Sequence, residues 1–290
     1  FRGYGHPRER WLVGAEFERH LLRADGSPVP YFGEHGVRWI LERYGERGWT
    51  LHHEGDNPIA AEKGGRWITL EPGSQFELSD APCKTVVEAG AQARSFNAEL
   101  AGILQDLPIR PVALGYTPFA AVPDIPWAPK GRYDQMKAVL IRHGDLAHHM
   151  MKGTCATQVS FDFADEEDCA RKMRLSVGMA PLTTALFANS PIAEGRSTGF
   201  MSYRGHIWTR TDPARSGMPD AASAFSYEAW IDYLLDVPMM FIKPGKDYLP
   251  AHGRSFRDWM EHGIDGGFPT MADWDLHMTQ VFPEVRVKKQ

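Results

Sequence analysis

The stretch Trp11–His20, WLVGAEFERH, places Glu16 and Glu18 two residues apart. On a β-strand alternate side chains share a face, so Val13, Ala15 and Phe17 would line one side and both acids the other. Same-face neighbours along a strand lie roughly 6–7 Å apart. Two half-buried carboxylates at that spacing repel each other and lose hydration, and a cation between them offsets both costs. Hard divalent ions such as Mg²⁺ take oxygen ligands of this kind. Taken alone, the pattern also suits a solvated edge strand with two surface acids.

More acids follow. LEPGSQFELS adds Glu71 at the close of one short strand, and Gln75 and Glu77 on one face of the next, opposite Phe76 and Leu78. In TCATQVSFDF, Gln158, Ser160 and Asp162 alternate with Cys155, Thr157, Val159, Phe161 and Phe163. Read as a strand, FMSYRGHIWTR aligns Ser202, Arg204, His206, Trp208 and Arg210 on one face. Cations sharing a face repel unless an anion compensates them, and phosphate or carboxylate groups do so well. Lys130 and Arg132 stand just before another helix. Glu16, Glu18, Glu71, Glu77 and Gln158 thus form a candidate metal set. Arg132, Arg204, His206 and Arg210 form a candidate anion set. Metal-clamped phosphoryl transfer on a sheet is the chemistry that fits both.

These residues need elements to position them. Val37, Ile40, Leu41 and Tyr44 recur at helical spacing, which predicts a helix over 33–47. Lys63-Gly64-Gly65 reads as a tight hairpin between strands over 59–62 and 66–70. Further strands are expected over 49–53 and 109–115, and helices over 85–107, 133–150, 166–187, 227–235, 256–261 and 271–277. Pro181 is expected to kink or divide the helix in which it falls. Four prolines make 117–132 a loop. The alternation predicts an α+β fold, a curved, mainly antiparallel sheet with helices packed on the outside, in a single domain over residues 1–290.

Composition narrows the function classes. The net charge is −5, 43% of residues are apolar and 24% charged, and there is no Lys/Arg stripe, so no nucleic-acid partner is expected. No apolar run approaches the ~20 residues that span a bilayer, so no membrane association is expected. No secretory leader is evident at the start of the sequence. Cys83, Cys155 and Cys169 are odd in number and lack C-x-x-C spacing, which points to a reducing, cytoplasmic location. His143, His148 and His149 match no strong ligand spacing and read as surface or cap residues. The sequence has no G-x-x-x-x-G-K-[ST] loop, no G-x-G-x-x-G fingerprint and no G-x-S-x-G elbow.

VGAEFER, LEPGSQFELS, PKGRYDQM, TCATQVSFDF, TALFANSPIAEG, SYRGHIWTRTDPARSGM, YLLDVPM and DWDLHMTQVFPEVRVKK follow one another as in glutamate–cysteine ligases of the plant and proteobacterial type. The chain resembles that family over nearly its whole length. The resemblance implies a glutamine-synthetase-like fold and ATP- and Mg²⁺-dependent joining of the glutamate γ-carboxyl to the amino group of cysteine. The reaction runs through γ-glutamyl phosphate and is the first step of glutathione biosynthesis. Glu16, Glu18 and Glu77 match metal-ligating glutamates, with Glu71 and Gln158 as further candidates. Arg132 and Arg204 resemble arginines that hold substrate carboxylates, and are the candidate catalytic residues. Thr157 and Val159 would line the glutamate site, while His206, Trp208 and Arg210 join the substrate-binding set from strand alternation alone.

The chain also departs from the family. GAEFE stands in place of the usual GTEHE, and Ser160 in place of an Asn. Gly90 and Ala251 align with two regulatory cysteines of plant members, so their redox switch is not expected. Relatives continue past FPEVRVK with a Y-L-E-x-R segment and a helical region, so residues 1–290 alone are expected to be weak or inactive. The expected partners are glutamate and cysteine, in a monomer or homodimer. A γ-glutamyl ligase for another amine and a non-catalytic glutamate- or nucleotide-binding fragment are the alternatives.

Overall fold

The computed structural model describes residues 1–288. Its main sheet contains β1 (Val13–Arg23), β2 (Thr50–Glu54), β3 (Asn57–Lys63), β4 (Arg66–Leu70), β5 (Phe76–Ser79), β6 (Ile109–Val112) and β7 (Thr157–Phe161). The strands run in the order β2-β3-β4-β5-β1, and all pairings are antiparallel. β1 is long enough to take two neighbours on its far side: β7 along Val13–Phe17 and β6 along His20–Arg23. Gly64 and Gly65 close the β3-β4 hairpin at φ of 61° and 83°, a backbone that glycine adopts without steric cost.

The helices are α1 (Val37–Glu46), α2 (Val86–Ile103), α3 (Gly131–Leu140), α4 (Ala147–Gly153), α5 (Glu166–Leu186), α6 (Tyr203–Trp208), α7 (Asp220–Ser223), α8 (Tyr227–Asp236), α9 (Phe256–His262) and α10 (Met271–Met278). A capping box between Thr85 and Glu88 opens α2.

Strand register decides which side chains meet. Phe17 pairs with Leu78, Leu78 with Ile68, and Ile68 with Ala61. With Leu70 and Phe76 they form an apolar face that packs against Ile40, Leu41 and Tyr44 of α1 and Phe96 and Leu100 of α2. Fully burying such a side chain contributes roughly 1.5–3 kcal/mol. The opposite face of the same strands is polar, with Glu18 paired to Glu77 and Glu77 to Thr69. A one-residue slip would exchange the two faces. The apolar core therefore fixes where the acids stand. A second core gathers around Trp230 and Phe163 from α5, α7 and α8, and takes in Val281 and Val287 near the chain end.

The α+β arrangement with an antiparallel sheet agrees with expectation; three local features differ. The helix expected over 133–150 is two helices, α3 and α4. Between them Gly144 lies against another backbone: a Cβ there would be 2.0 Å from the Thr211 carbonyl oxygen. Pro181 does not divide α5, which continues to Leu186. Residues 200–210 are not a strand. Ser202 caps α6 by accepting a hydrogen bond from Gly205 N at 3.1 Å, and the helix occupies Tyr203–Trp208. Among the described residues, no helix is long and apolar enough to cross a membrane.

Candidate active site

β1 carries the acids between two strands. Glu18 faces Glu77 on β5, and Glu16 lies opposite Ser79 on β5 and Gln158 on β7. Glu71 enters from the loop after β4. That loop is held tight: Ser74 N donates to the Glu71 carbonyl at 2.8 Å and Glu71 N to the Gln75 carbonyl at 3.0 Å. Buried Gln75 braces it from inside, accepting from Gly73 N at 2.8 Å and donating to the Thr154 carbonyl at 2.8 Å. Gly73 permits this approach, since a Cβ there would lie 2.3 Å from the Lys152 carbonyl oxygen.

Burial pushes the Glu18 carboxyl well up, and the charges of Glu71 and then Glu77 add to the shift. Arg204 and a 2.7 Å hydrogen bond from Ala156 N act against it. Glu77 is pushed up to about 7, first by burial and then by Glu71 and Glu16, although Thr69 Oγ1 donates to it at 2.6 Å. Carboxylates that raise one another in this way are only partly compensated by the cations around them. A divalent ion would supply the rest. Among the described residues, no three His, Cys, Asp or Glu side chains converge as a ready-made cage. Mg²⁺ commonly binds through one or two carboxylates and keeps several waters, so carboxylate pairs on adjacent strands fit its chemistry.

The cations are fixed by backbone bonds. Glu54 Oε2 accepts from Gly131 N at 2.7 Å at the start of α3. Lys130 Nζ and Tyr133 Oη both donate to the Leu70 carbonyl, at 2.8 and 2.5 Å. These bonds tie the head of α3 to β2 and β4 and bring Arg132 and Lys130 within the field of Glu71. Burial, then the Arg132 charge, pushes Lys130 down to about 8. Arg132 stands over the Tyr133 ring and Arg204 over the Trp208 ring, and among the described residues the buried Nε of each has no hydrogen-bond partner. Burial, and then Glu18, pushes the Cys155 thiol well up, as for a packed residue rather than a thiolate nucleophile.

The structure corrects two placements. The single row of Arg204, His206, Trp208 and Arg210 does not form, because a helix turns successive residues by about 100°. Arg204 and Trp208 share one stripe, and Arg204 is the member whose charge acts on Glu18. His206 stacks on Phe200 with centroids 4.4 Å apart, and Trp208 packs edge-on against Phe282. Arg210 lies past the helix in an exposed ion pair, its Nε donating to Asp145 Oδ1 at 2.9 Å. Thr157 and Val159 pair with Phe17 and Ala15, so strand alternation puts them on the face opposite the acids, where they are exposed.

Three residues near the acids escaped the sequence reading of the site, Glu54, Arg286 and Lys288, and Lys130, named there beside Arg132, was left out of the anion set. Lys288 Nζ lies 2.5 Å from Glu16 Oε1. The charges of Glu16, Glu77 and Glu71 act on Arg286. The usable signal was the alternation of Val285 and Val287 with Arg286 and Lys288.

A sequence model of glutamate–cysteine ligase family 2 (GCS2) matches residues 12–290. Glutamate–cysteine ligase B, chloroplastic, of Oryza sativa subsp. japonica is 40% identical over 290 residues, covering 98% of this chain and 58% of its own length. The chloroplastic enzyme of Nicotiana tabacum is 40% identical over 288 residues, covering 97% of this chain and 55% of its own length. That of Arabidopsis thaliana is 37% identical over 289 residues, with the same two coverages. The chain thus spans little more than half the length of the curated relatives it matches. Those relatives are named as chloroplastic, which overturns the expectation of a cytoplasmic location. A match from residue 12 to residue 290, together with these identities, means that the chain belongs to glutamate–cysteine ligase family 2.

Proposed function

We propose that this chain forms the ATP- and Mg²⁺-binding face of a ligase that joins the γ-carboxyl of glutamate to the amino group of cysteine, the first step of glutathione biosynthesis. In this reading residues 1–290 make up one glutamine-synthetase-like domain. The observation that carries it is one polar sheet face pairing Glu18 with Glu77 and Glu16 with Gln158, flanked by Arg132 and Arg204.

Glu16, Glu18 and Glu77 would hold the metal, with Glu71 and Gln158 completing the set. Bound Mg²⁺ would neutralise charge on the polyphosphate. Arg132 and Arg204 would grip substrate carboxylate or phosphoryl oxygens by charge-assisted hydrogen bonds. The arginines and acids together orient the glutamate γ-carboxylate against the terminal phosphorus of ATP, which is the positional part of catalysis. A carboxylate oxygen bonds to that phosphorus and ADP leaves. The amine of cysteine then attacks the acyl carbon of γ-glutamyl phosphate, loses a proton, and inorganic phosphate departs. No step requires a nucleophile from the protein, in keeping with the buried, protonated Cys155.

Calorimetric titration of ATP with and without Mg²⁺ tests this assignment. Mg²⁺-dependent binding is expected, and Glu16→Ala should abolish it. Binding that ignores Mg²⁺, or survives Glu16→Ala unchanged, would remove the acids from the nucleotide site.

A further inference from the structure

Resting on that reading, we propose that Arg286 is a phosphoryl-binding residue, taking an oxygen of the terminal phosphate of the bound nucleotide. The segment after α10 returns to the acids along a fixed path. Phe282 N donates to the Arg215 carbonyl and Glu284 N to the Gly217 carbonyl, both at 2.8 Å. Val285 and Val287 pack into the core around Trp230. The residues that alternate with them in sequence meet the acids instead: Lys288 reaches Glu16, and the charges of Glu16, Glu77 and Glu71 act on Arg286.

The two cations differ in how they meet the acids. Lys288 makes a contact ion pair. Arg286 has no ion pair within 4.0 Å among the described residues; its Nη1 donates instead to the Val281 carbonyl at 2.9 Å. That bond anchors the side chain and leaves most of its N–H donors free. A guanidinium held within the field of three carboxylates, yet making its one printed bond to a backbone carbonyl, keeps donors available to an anionic ligand. A phosphoryl group suits them, because its oxygens can accept from the planar fork of Arg. Lys288 compensates the Glu16 carboxylate in the metal-free chain.

The test uses the β,γ-imido analogue of ATP and ADP, each with Mg²⁺, titrated calorimetrically into wild type, Arg286→Ala and Arg286→Lys. Arg286→Ala should weaken the triphosphate analogue at least about tenfold, the usual scale for a charged hydrogen bond, while barely changing ADP. Arg286→Lys keeps the charge without the fork and should lose less. If the alanine variant does not fold, the lysine variant decides alone, by weakening for the analogue and not for ADP. Equal losses for both nucleotides, or none, would overturn the proposal and leave the ligase reading standing. A wild type that binds neither nucleotide would overturn both.

Discussion

Glu18 serves two purposes at once. Its carboxylate accepts from Ala156 N at 2.7 Å and its own N–H donates to the Ala156 carbonyl at 3.0 Å, locking β1 to the entry of β7. The same buried carboxylate stands against Glu77. Glu18→Gln keeps an acceptor for Ala156 and removes a charge that burial disfavours. The metal-free variant should melt no lower than wild type, yet bind Mg²⁺-ATP at least about tenfold more weakly. A clear drop in melting temperature would instead mean that Arg204 already compensates the charge. Away from the site, His277 sets a pH dependence. It is 1% exposed, with Nε2 2.7 Å from the Leu234 carbonyl, and burial holds it down at about 4 against an ordinary value of 6.5. Between those values the unfolded chain takes up a proton that the folded chain refuses. Stability is therefore full above pH 6.5 and falls as pH drops towards 4, by up to about 3 kcal/mol from this group. Urea unfolding at pH 7 and pH 4.5 should show the loss. His277→Gln should shrink it without removing it, because buried His20 is held down to about 4 in the same way.

At the scale of elements, legibility followed how local the signal was. Alternation in β1 placed Glu16 and Glu18 opposite Phe17, the Gly64-Gly65 pair marked a hairpin, and Val37, Ile40, Leu41 and Tyr44 marked α1; each is a pattern a few residues long. Residues 200–210 misled because bulky and β-branched side chains at alternate positions imitate a strand, while the competing signal was a single capping serine. Arg286 and Lys288 were illegible as site residues for another reason: their place depends on where a segment some 270 residues from Glu16 lands. Two substitutions probe the misread elements. Ser202→Ala should cost about 1 kcal/mol through the lost cap. Gly144→Ala should cost about 1–3 kcal/mol or more, since its methyl group would overlap the Thr211 backbone, which cannot rotate aside. Denaturant melts should rank them in that order.

For the molecule as a whole, one buried polar hub governs the path of the chain end. Arg215 is fully buried; its Nε donates to Asp212 Oδ2 at 2.6 Å, Nη2 to the Pro238 carbonyl at 2.7 Å and Nη1 to the Gln280 carbonyl at 3.2 Å. Gln280 in turn accepts from Met240 N at 2.7 Å and donates to the Phe241 carbonyl at 2.9 Å. Segments 212–217, 238–241 and 280–284 are thereby stitched together, and the last leads straight to Arg286. Replacing both members of a buried pair by apolar groups of similar size is often tolerated, whereas removing one strands the other's charge. Arg215→Met should therefore cost about 3–5 kcal/mol, and Arg215→Met combined with Asp212→Leu clearly less than the single change. A double-mutant cycle by urea unfolding measures the difference. If the double variant regains stability but not the preference for the triphosphate analogue over ADP, the hub acts on the site by steering the segment that carries Arg286. If it regains both, the packing of Val285 and Val287 is enough to hold that segment over the acids.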